Sequence, residues 1–314
     1  MSGETIQTEL ILAEIRSLST LGERDKAAEM LSGVIEDERP RIATSHRVLE
    51  MVSFTAFFIA DLVNAEQAIT AHFPNLGKVK ISVSVDKRLP GPQIFQWESV
   101  LQAGNNFEFH DTLFGLSQNE LYTIFTRWLS FLQIADIYAL SGKVGGIVYV
   151  DVGDWSSSIG LNFCDNKSDA YLIPDCSFLA SKGYSETRKA YETNPVKWKI
   201  RHALALWRGS STGRSDGGLM SLPRVKLCQL GLTLDGKDLL DVGITSIVQF
   251  IDPDEEESLT NSGVVRQHIP ATEFNTYRYH IDIDGNTNSW PGLFQKLLTG
   301  SPVLKIASAD GYRQ

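Results

Sequence analysis

From Gly145 to Ile306 short apolar runs recur between amphipathic stretches, and this alternation restricts the fold more than any other feature of the chain. The runs are Gly145 to Val152, Leu161 to Cys164, Ala170 to Ile173, Ala203 to Trp207, Ser246 to Phe250, Tyr277 to Ile283 and Pro302 to Ile306. Helical spacing occupies the intervals near Glu186 to Tyr191, Leu222 to Leu230 and Trp290 to Leu298. Strands that take turns with helices pair in parallel, because a parallel neighbour needs a crossover long enough to hold a helix. The pattern therefore predicts an α/β protein. The run Gly145-Gly-Ile-Val-Tyr-Val-Asp-Val-Gly-Asp154 has little polar alternation and closes on carboxylates, as expected of an internal strand running out to a functional edge.

Upstream the periodicity differs. Between Thr5 and Thr70, Ile6, Leu10, Leu12, Ile15 and Leu18 recur at helical spacing, as do Ala27, Met30, Leu31 and Ile35 after a break at Gly22. From Lys78 the period becomes two, with Val79, Ile81, Val83 and Val85 alternating against polar residues up to Pro90-Gly91-Pro92. Two short aromatic segments follow, Ile94 to Trp97 and Phe107 to Phe109. Ser117 then caps a helix over Gln118 to Leu140, whose Leu121, Phe125, Trp128, Leu129 and Leu132 form a stripe. The expected divisions are a helical segment over residues 1–75, a first domain over 76–194 and a second over 195–314, with the break at Thr193-Asn-Pro195.

Composition narrows the partners. The chain of 314 residues has 29 Lys and Arg against 38 Asp and Glu, a net charge of -9. That is the wrong sign for holding nucleic acid through its phosphates, so an anionic ligand needs a local basic pocket. Cys164, Cys176 and Cys228 lack metal or redox spacing and read as reduced, buried thiols, which favours the cytoplasm. The N-terminus has no signal-like apolar core. The most apolar run, Met51 to Val63, interrupted by Asp61, is about 13 residues against the roughly 20 that span a bilayer, and reads as a buried helix.

Three constellations could carry chemistry. The first, Trp207-Arg-Gly-Ser-Ser-Thr-Gly-Arg-Ser215, follows a strand and offers glycines for close backbone approach, hydroxyl donors, and Arg208 and Arg214 for phosphate. It lacks the Gly-Lys-Ser/Thr of a Walker loop, and the same residues suit a solvated Ser/Gly loop. The second, Tyr277-Arg-Tyr-His-Ile-Asp-Ile-Asp-Gly-Asn-Thr-Asn-Ser-Trp-Pro-Gly-Leu293, places Asn286, Thr287, Asn288 and Ser289 at an expected helix N-terminus, where free N–H groups favour an anion. Asp282 and Asp284 there could instead be an Asp-x-Asp metal pair. The third, Asp151-Val-Gly-Asp154-Trp155, ends a strand with a carboxylate suited to general-base work and an indole suited to stacking on a sugar, or forms an ordinary capped turn. His202, His268 and His280 show no ligand spacing. The acidic run Asp252 to Glu257 reads as an exposed loop.

Taken together, YRYHIDIDGNTNSWPGLFQKLLTGSPVLKI over Tyr277 to Ile306 and the upstream LWRGSSTGR resemble glycosyltransferase family 90, the CAP-type or lipopolysaccharide-modifying domain related to protein O-glucosyltransferases. The likeness is strong over Asp151 to Ile306. It implies a GT-B-like pair of Rossmann-type domains facing a cleft, with extra N-terminal helices, residues 76–194 on the acceptor side and 195–314 binding the UDP-sugar. It also implies inverting, metal-independent transfer of a hexose or pentose to a hydroxyl of a glycan or lipopolysaccharide acceptor, with no cofactor beyond the donor. Asp154 matches the general base, and Trp155 lies on the acceptor side. Arg208, Gly209, Ser210 and Thr212 match the Arg-Gly-Ser loop, Arg224 the helix arginine on the diphosphate with Arg214 as competitor, and Asn286, Thr287, Asn288 and Ser289 the second loop.

Two departures accompany the resemblance. Pro291 stands where the animal enzymes have an arginine, and the chain stops at Gln314 where family members continue, so the donor domain is expected to be truncated. The expected partners are a UDP-sugar and a glycan, with no nucleic acid, no transmembrane segment and room for peripheral membrane association. The competing expectation is a non-catalytic nucleotide-sugar-binding or scaffold protein of the same fold.

Overall fold

The computed structural model describes residues 3–59, 61–76, 79–86, 95–103, 107–116, 118–140, 146–153, 160–215, 217–248, 252–307 and 310–313. The chain is mixed α/β with parallel strands and divides into two units, Met1–Phe163 with Ala170–Ala180, and Cys164–Asp169 with Ser181–Gln314.

The first unit opens with α1 (Gly3–Thr20), α2 (Arg24–Thr44), α3 (His46–Phe58) and α4 (Leu62–His72). Gly22 turns the chain between α1 and α2 at φ +90°, a region glycine enters without a Cβ penalty. Ser45 and Asp61 cap α3 and α4 by accepting from the N–H groups of Val48 and Asn64. Asp61 therefore divides the apolar run Met51 to Val63 between two helices, and among the described residues no helix is long and apolar enough to cross a membrane. Leu12, Ile15, Leu31, Ile35, Leu49, Val52 and Ile69 are buried together as the helices turn their apolar stripes inward.

After three strands, β1 (Val79–Asp86), β2 (Phe95–Ala103) and β3 (Phe107–Leu116), α5 (Gln118–Leu140) adds Phe125, Trp128, Leu129 and Leu132 to that core. The Phe57 and Phe125 ring centroids lie 4.7 Å apart. Residues 1–75 are thus not a segment apart, since they share one core with α5, Val150, Val152 and Phe163. The strands also differ from the parallel Rossmann-type arrangement implied for 76–194. β1, β2 and β3 form an antiparallel meander, and only β4 (Gly146–Tyr149) joins β3 in parallel. Three residues alone separate β2 from β3, too few for the crossover that a parallel neighbour needs. β4 ends before Asp151 and is last in the order β1-β2-β3-β4, and just beyond it Val150 bridges Leu161 in parallel. β5 (Leu161–Asn162), β6 (Tyr171–Leu172) and α6 (Cys176–Ala180) complete the unit.

In the second unit α7 (Ser185–Thr193) and β7 (His202–Ser210) precede α8 (Pro223–Leu230), α9 (Leu234–Lys237), β8 (Leu240–Ser246), α10 (Pro253–Asn261), β9 (Tyr277–Asp282), α11 (Gly292–Leu297) and β10 (Val303–Lys305). All four strands are parallel, in the order β10-β9-β7-β8. The continuous part of the unit begins at Ser181 and not at Thr193-Asn-Pro195, because α7 is tied to the segment before β9. There the Tyr191 hydroxyl donates to the Ala271 carbonyl, and Asn275 Nδ2 donates to the Asn194 carbonyl at 3.2 Å. β8 lies earlier than the expected strand at Ser246 to Phe250, and the acidic run from Asp252 is the capped start of α10, not a loop. Ala205, Trp207, Val242, Ile244, Ile281 and Ile283 pack against Val225, Leu227 and Cys228 of α8. Strand alternation turns Arg208, His280 and Asp282 to the other face, where Lys296 of α11 meets Asp282.

Candidate functional site

From β7 the chain moves to one side to make β8, then returns to the other side of β7 to make β9. The loops leaving the carboxyl ends of β7 and β9 therefore diverge, and the crevice between such loops is where open α/β sheets take ligands. Arg224, in the first turn of α8, bridges those ends. Its Nε donates to the Asp284 carbonyl at 3.0 Å and its Nη2 to the Ile283 carbonyl at 3.1 Å. Its Nη1 donates to the Ser210 carbonyl at 3.2 Å and to Thr212 Oγ1 at 2.7 Å. The guanidinium carbon lies 5.5 Å from the centroid of the Trp207 ring. Gly285 permits this closeness, since a Cβ there would stand 2.4 Å from Thr212 Oγ1 and 2.9 Å from Arg224 Nη2. Gly209 is needed for the same reason, its Cβ position being 2.7 Å from the Trp207 ring.

Burial lowers the Arg224 pKa to about 10 against the pull of Asp282 and Asp284, which leaves the group charged at neutral pH. With those four hydrogen bonds in place, an anion in the crevice would meet its charge and its remaining N–H, beside the Ser210 and Thr212 hydroxyls, whose oxygens are 3.3 Å apart. Lys296 Nζ is 2.7 Å from Asp282 Oδ1, and Lys305 Nζ is 2.7 Å from Asp282 Oδ2 and 2.5 Å from Asp284 Oδ1. The Asp-x-Asp pair is thus engaged by two lysines. Burial works against ionisation of Asp282, but Lys296 and Lys305 outweigh it and hold the carboxyl below the usual range. Around the end of β9, three cations face two carboxylates.

Other expected donors are placed elsewhere. Arg208 follows Trp207 in the strand and so points to the opposite face, where Nη2 lies 2.6 Å from Asp241 Oδ1 and Nη1 donates to the Asp241 carbonyl at 2.8 Å. The Tyr277 hydroxyl donates to Asp241 Oδ2 at 2.6 Å. Burial opposes the Asp241 charge, yet Tyr277 and Arg208 hold its pKa down, while burial and Asp241 push Tyr277 up to about 12. Arg208 belongs to this network and not to the crevice. Arg214 is largely exposed and pairs with Asp310 at 3.1 Å. Asn286, Thr287, Asn288 and Ser289 do not form a helix N-terminus, because Pro291 flanks α11 and the helix starts at Gly292. Thr287 and Ser289 are buried with their hydroxyls 3.2 Å apart, and the Asn288 N–H donates to Cys164 Sγ at 3.4 Å.

Asp154 and Trp155 lie outside the described residues. Just before them, Asp151 Oδ1 accepts from the Gly153 N–H at 3.0 Å, which is turn geometry. The three cysteines are buried thiols, and His280 is fully buried with Nε2 3.2 Å from Thr299 Oγ1. The structure therefore brings together Gly209, Ser210, Thr212, Arg224 and Gly285 and sets Lys296 and Lys305 at the end of β9, while Asp241 holds Arg208 on the other face; sequence reasoning passed over Asp241, Lys296 and Lys305. Lys305 is opposite Asp282 in the β10–β9 register, a relation visible only once the strands are paired. No family model, curated protein or solved structure matches this chain.

Proposed function

We propose that this chain is an inverting, UDP-sugar-dependent glycosyltransferase of the family 90 type, moving a hexose or pentose to a hydroxyl of a glycan acceptor. The observation that carries the donor half of this reading is the convergence of Ser210, Thr212, Arg224 and Gly285 at the switch point of an all-parallel sheet. In a chain of net charge -9, the local cation excess there favours a diphosphate. The departing UDP gains negative charge as the glycosidic bond breaks. A cation already held by four protein acceptors stabilises that charge without having to reorganise. In the role the resemblance implies, Asp154 takes the proton of the attacking acceptor hydroxyl and Trp155 stacks on the acceptor sugar. Arg224 supplies the charge that a divalent ion supplies elsewhere, and Asp282 and Asp284 serve to fix Lys305 and Lys296.

Calorimetric titration of UDP in the presence of EDTA tests the donor site. Arg224→Ala is expected to weaken binding by about 1.5–3 kcal/mol and Thr212→Ala by about 1 kcal/mol, whereas Arg208→Ala leaves affinity unchanged while lowering the melting temperature. A chain that circular dichroism shows to be folded and that binds no UDP overturns the reading. Asp154→Asn then separates transfer from binding: it should abolish sugar transfer at unaltered UDP affinity. Wild-type protein that binds UDP yet consumes no UDP-sugar would be a binding module of the same fold.

A further inference from the structure

The connection between α7 and β7 reads Val196-Lys-Trp-Lys-Ile-Arg-His202, in which cations alternate with apolar residues and no acid intervenes. Trp198–Ile200 forms a 3-10 turn held from beneath by two arginines. Arg278 donates from Nε to the Trp198 carbonyl at 3.1 Å and from Nη2 to the Lys199 carbonyl at 2.7 Å. Arg201 donates from Nε to the Val196 carbonyl at 3.0 Å and from Nη1 to Ser301 Oγ at 2.7 Å, and its guanidinium lies 5.7 Å from the Trp198 ring. The side chains that the anchoring does not use are left in solvent. Ile200 is 74% exposed and Trp198 43%, with Lys197 and Lys199 exposed beside them, and Tyr279 meets the Trp198 ring edge-on at 5.9 Å.

Single exposed apolar side chains are ordinary on a protein surface. A tryptophan and an isoleucine on one anchored turn among lysines, with a tyrosine of β9 against the indole, are a different arrangement. We infer that this turn is a docking surface for an anionic lipid bilayer. Trp198 and Tyr279 would sit at the headgroup level, Ile200 would reach the acyl boundary, and Lys197 and Lys199 would lie over the anionic headgroups. Charge complementarity supports that occupant, because four cations cluster here in a chain of net charge -9. A nucleic acid would also attract the cations and stack on the indole, but it gives no reward to an aliphatic side chain, and Ile200 is the most exposed apolar residue of the turn. β7 runs nine residues from this turn to Ser210, so a chain resting on the bilayer here holds its crevice at the far end of the strand.

Flotation of the full chain with vesicles of phosphatidylcholine alone, and of phosphatidylcholine mixed with phosphatidylglycerol, tests the inference. Wild-type protein should float only with the anionic vesicles. The Lys197→Ala/Lys199→Ala double variant should lower its partition roughly 30-fold and Ile200→Ser roughly ten-fold. Added salt should remove the lysine-dependent part. Both variants change exposed side chains, and circular dichroism identifies any that misfold. Absence of flotation, equal flotation on neutral and anionic vesicles, or unaltered partition of folded variants overturns the inference. A single-stranded oligonucleotide that binds the wild type and releases the lysine variant, with no flotation on any vesicle, would assign the surface to nucleic acid instead.

Discussion

Where α1 to α5 meet in the first unit, Leu49, Val52, Ile69, Phe125 and Trp128 pack as one apolar body, whereas the sheet of the second unit buries Asp282 and Lys296 on one face and Arg224 beside Trp207 on the other. Apolar packing is non-directional and tolerates small readjustments. A buried ion pair adds little net stability but is costly to break, and it fixes distances. The contrast separates a unit that holds itself together from one whose charges hold the ends of two strands where a ligand could use them.

Three substitutions or conditions would break or sharpen that contrast, from the largest expected effect to the smallest. Asp282→Ala leaves Lys296 buried without its partner and should cost about 4 kcal/mol. Hydrogen exchange should then accelerate in peptides of the second unit and not in α1 to α4. Leu49→Ala should cost about 3 kcal/mol and accelerate exchange in the first unit instead. Equal acceleration in both units by either variant would mean that they unfold as one body.

The third test is acid. Burial and the nearby cations Lys296 and Arg201 lower His280 to about 4, and burial with His72 lowers His46 to about 4 in the first unit. Both histidines are neutral in the folded chain, whereas unfolded histidines take up protons below about pH 6.5. Stability is therefore complete above that pH and falls as pH drops from about 6.5 towards 4. The loss per histidine should be about 2 kcal/mol by pH 5. His280→Gln should flatten this acid limb in the second unit and leave that of the first, and an unaltered limb would show that His280 is not what titrates.

The parts legible in sequence were those that repeat or punctuate. Helix α5 has the bounds expected from its stripe, and β7, the loop after it and Arg224 on α8 fall where the strand-loop-helix pattern puts them. What failed depended on neighbours that sequence distance hides. Reading Trp207-Arg208-Gly209-Ser210 as one motif grouped residues that a strand sends to opposite faces, so Arg208 was assigned to a cradle it does not enter. β8 escaped notice because Asp241 and Gly243 interrupt its apolar run, and Asp241 is the residue that claims Arg208. The meander went unread because β2 and β3 showed only as two short aromatic segments, Ile94 to Trp97 and Phe107 to Phe109, whose pairing no periodicity reveals.

The polarity of β7 has an electrostatic consequence. Its first residue follows the basic turn and its last enters the crevice, and nine residues in extended conformation span about 30 Å. Ions at physiological strength screen a charged surface over about 8 Å. With β7 standing away from the bilayer, a lipid layer beneath the turn would no longer repel an anion arriving at Arg224. A nucleotide would meet the crevice at its bulk concentration, and its affinity for vesicle-bound and free chain should be the same.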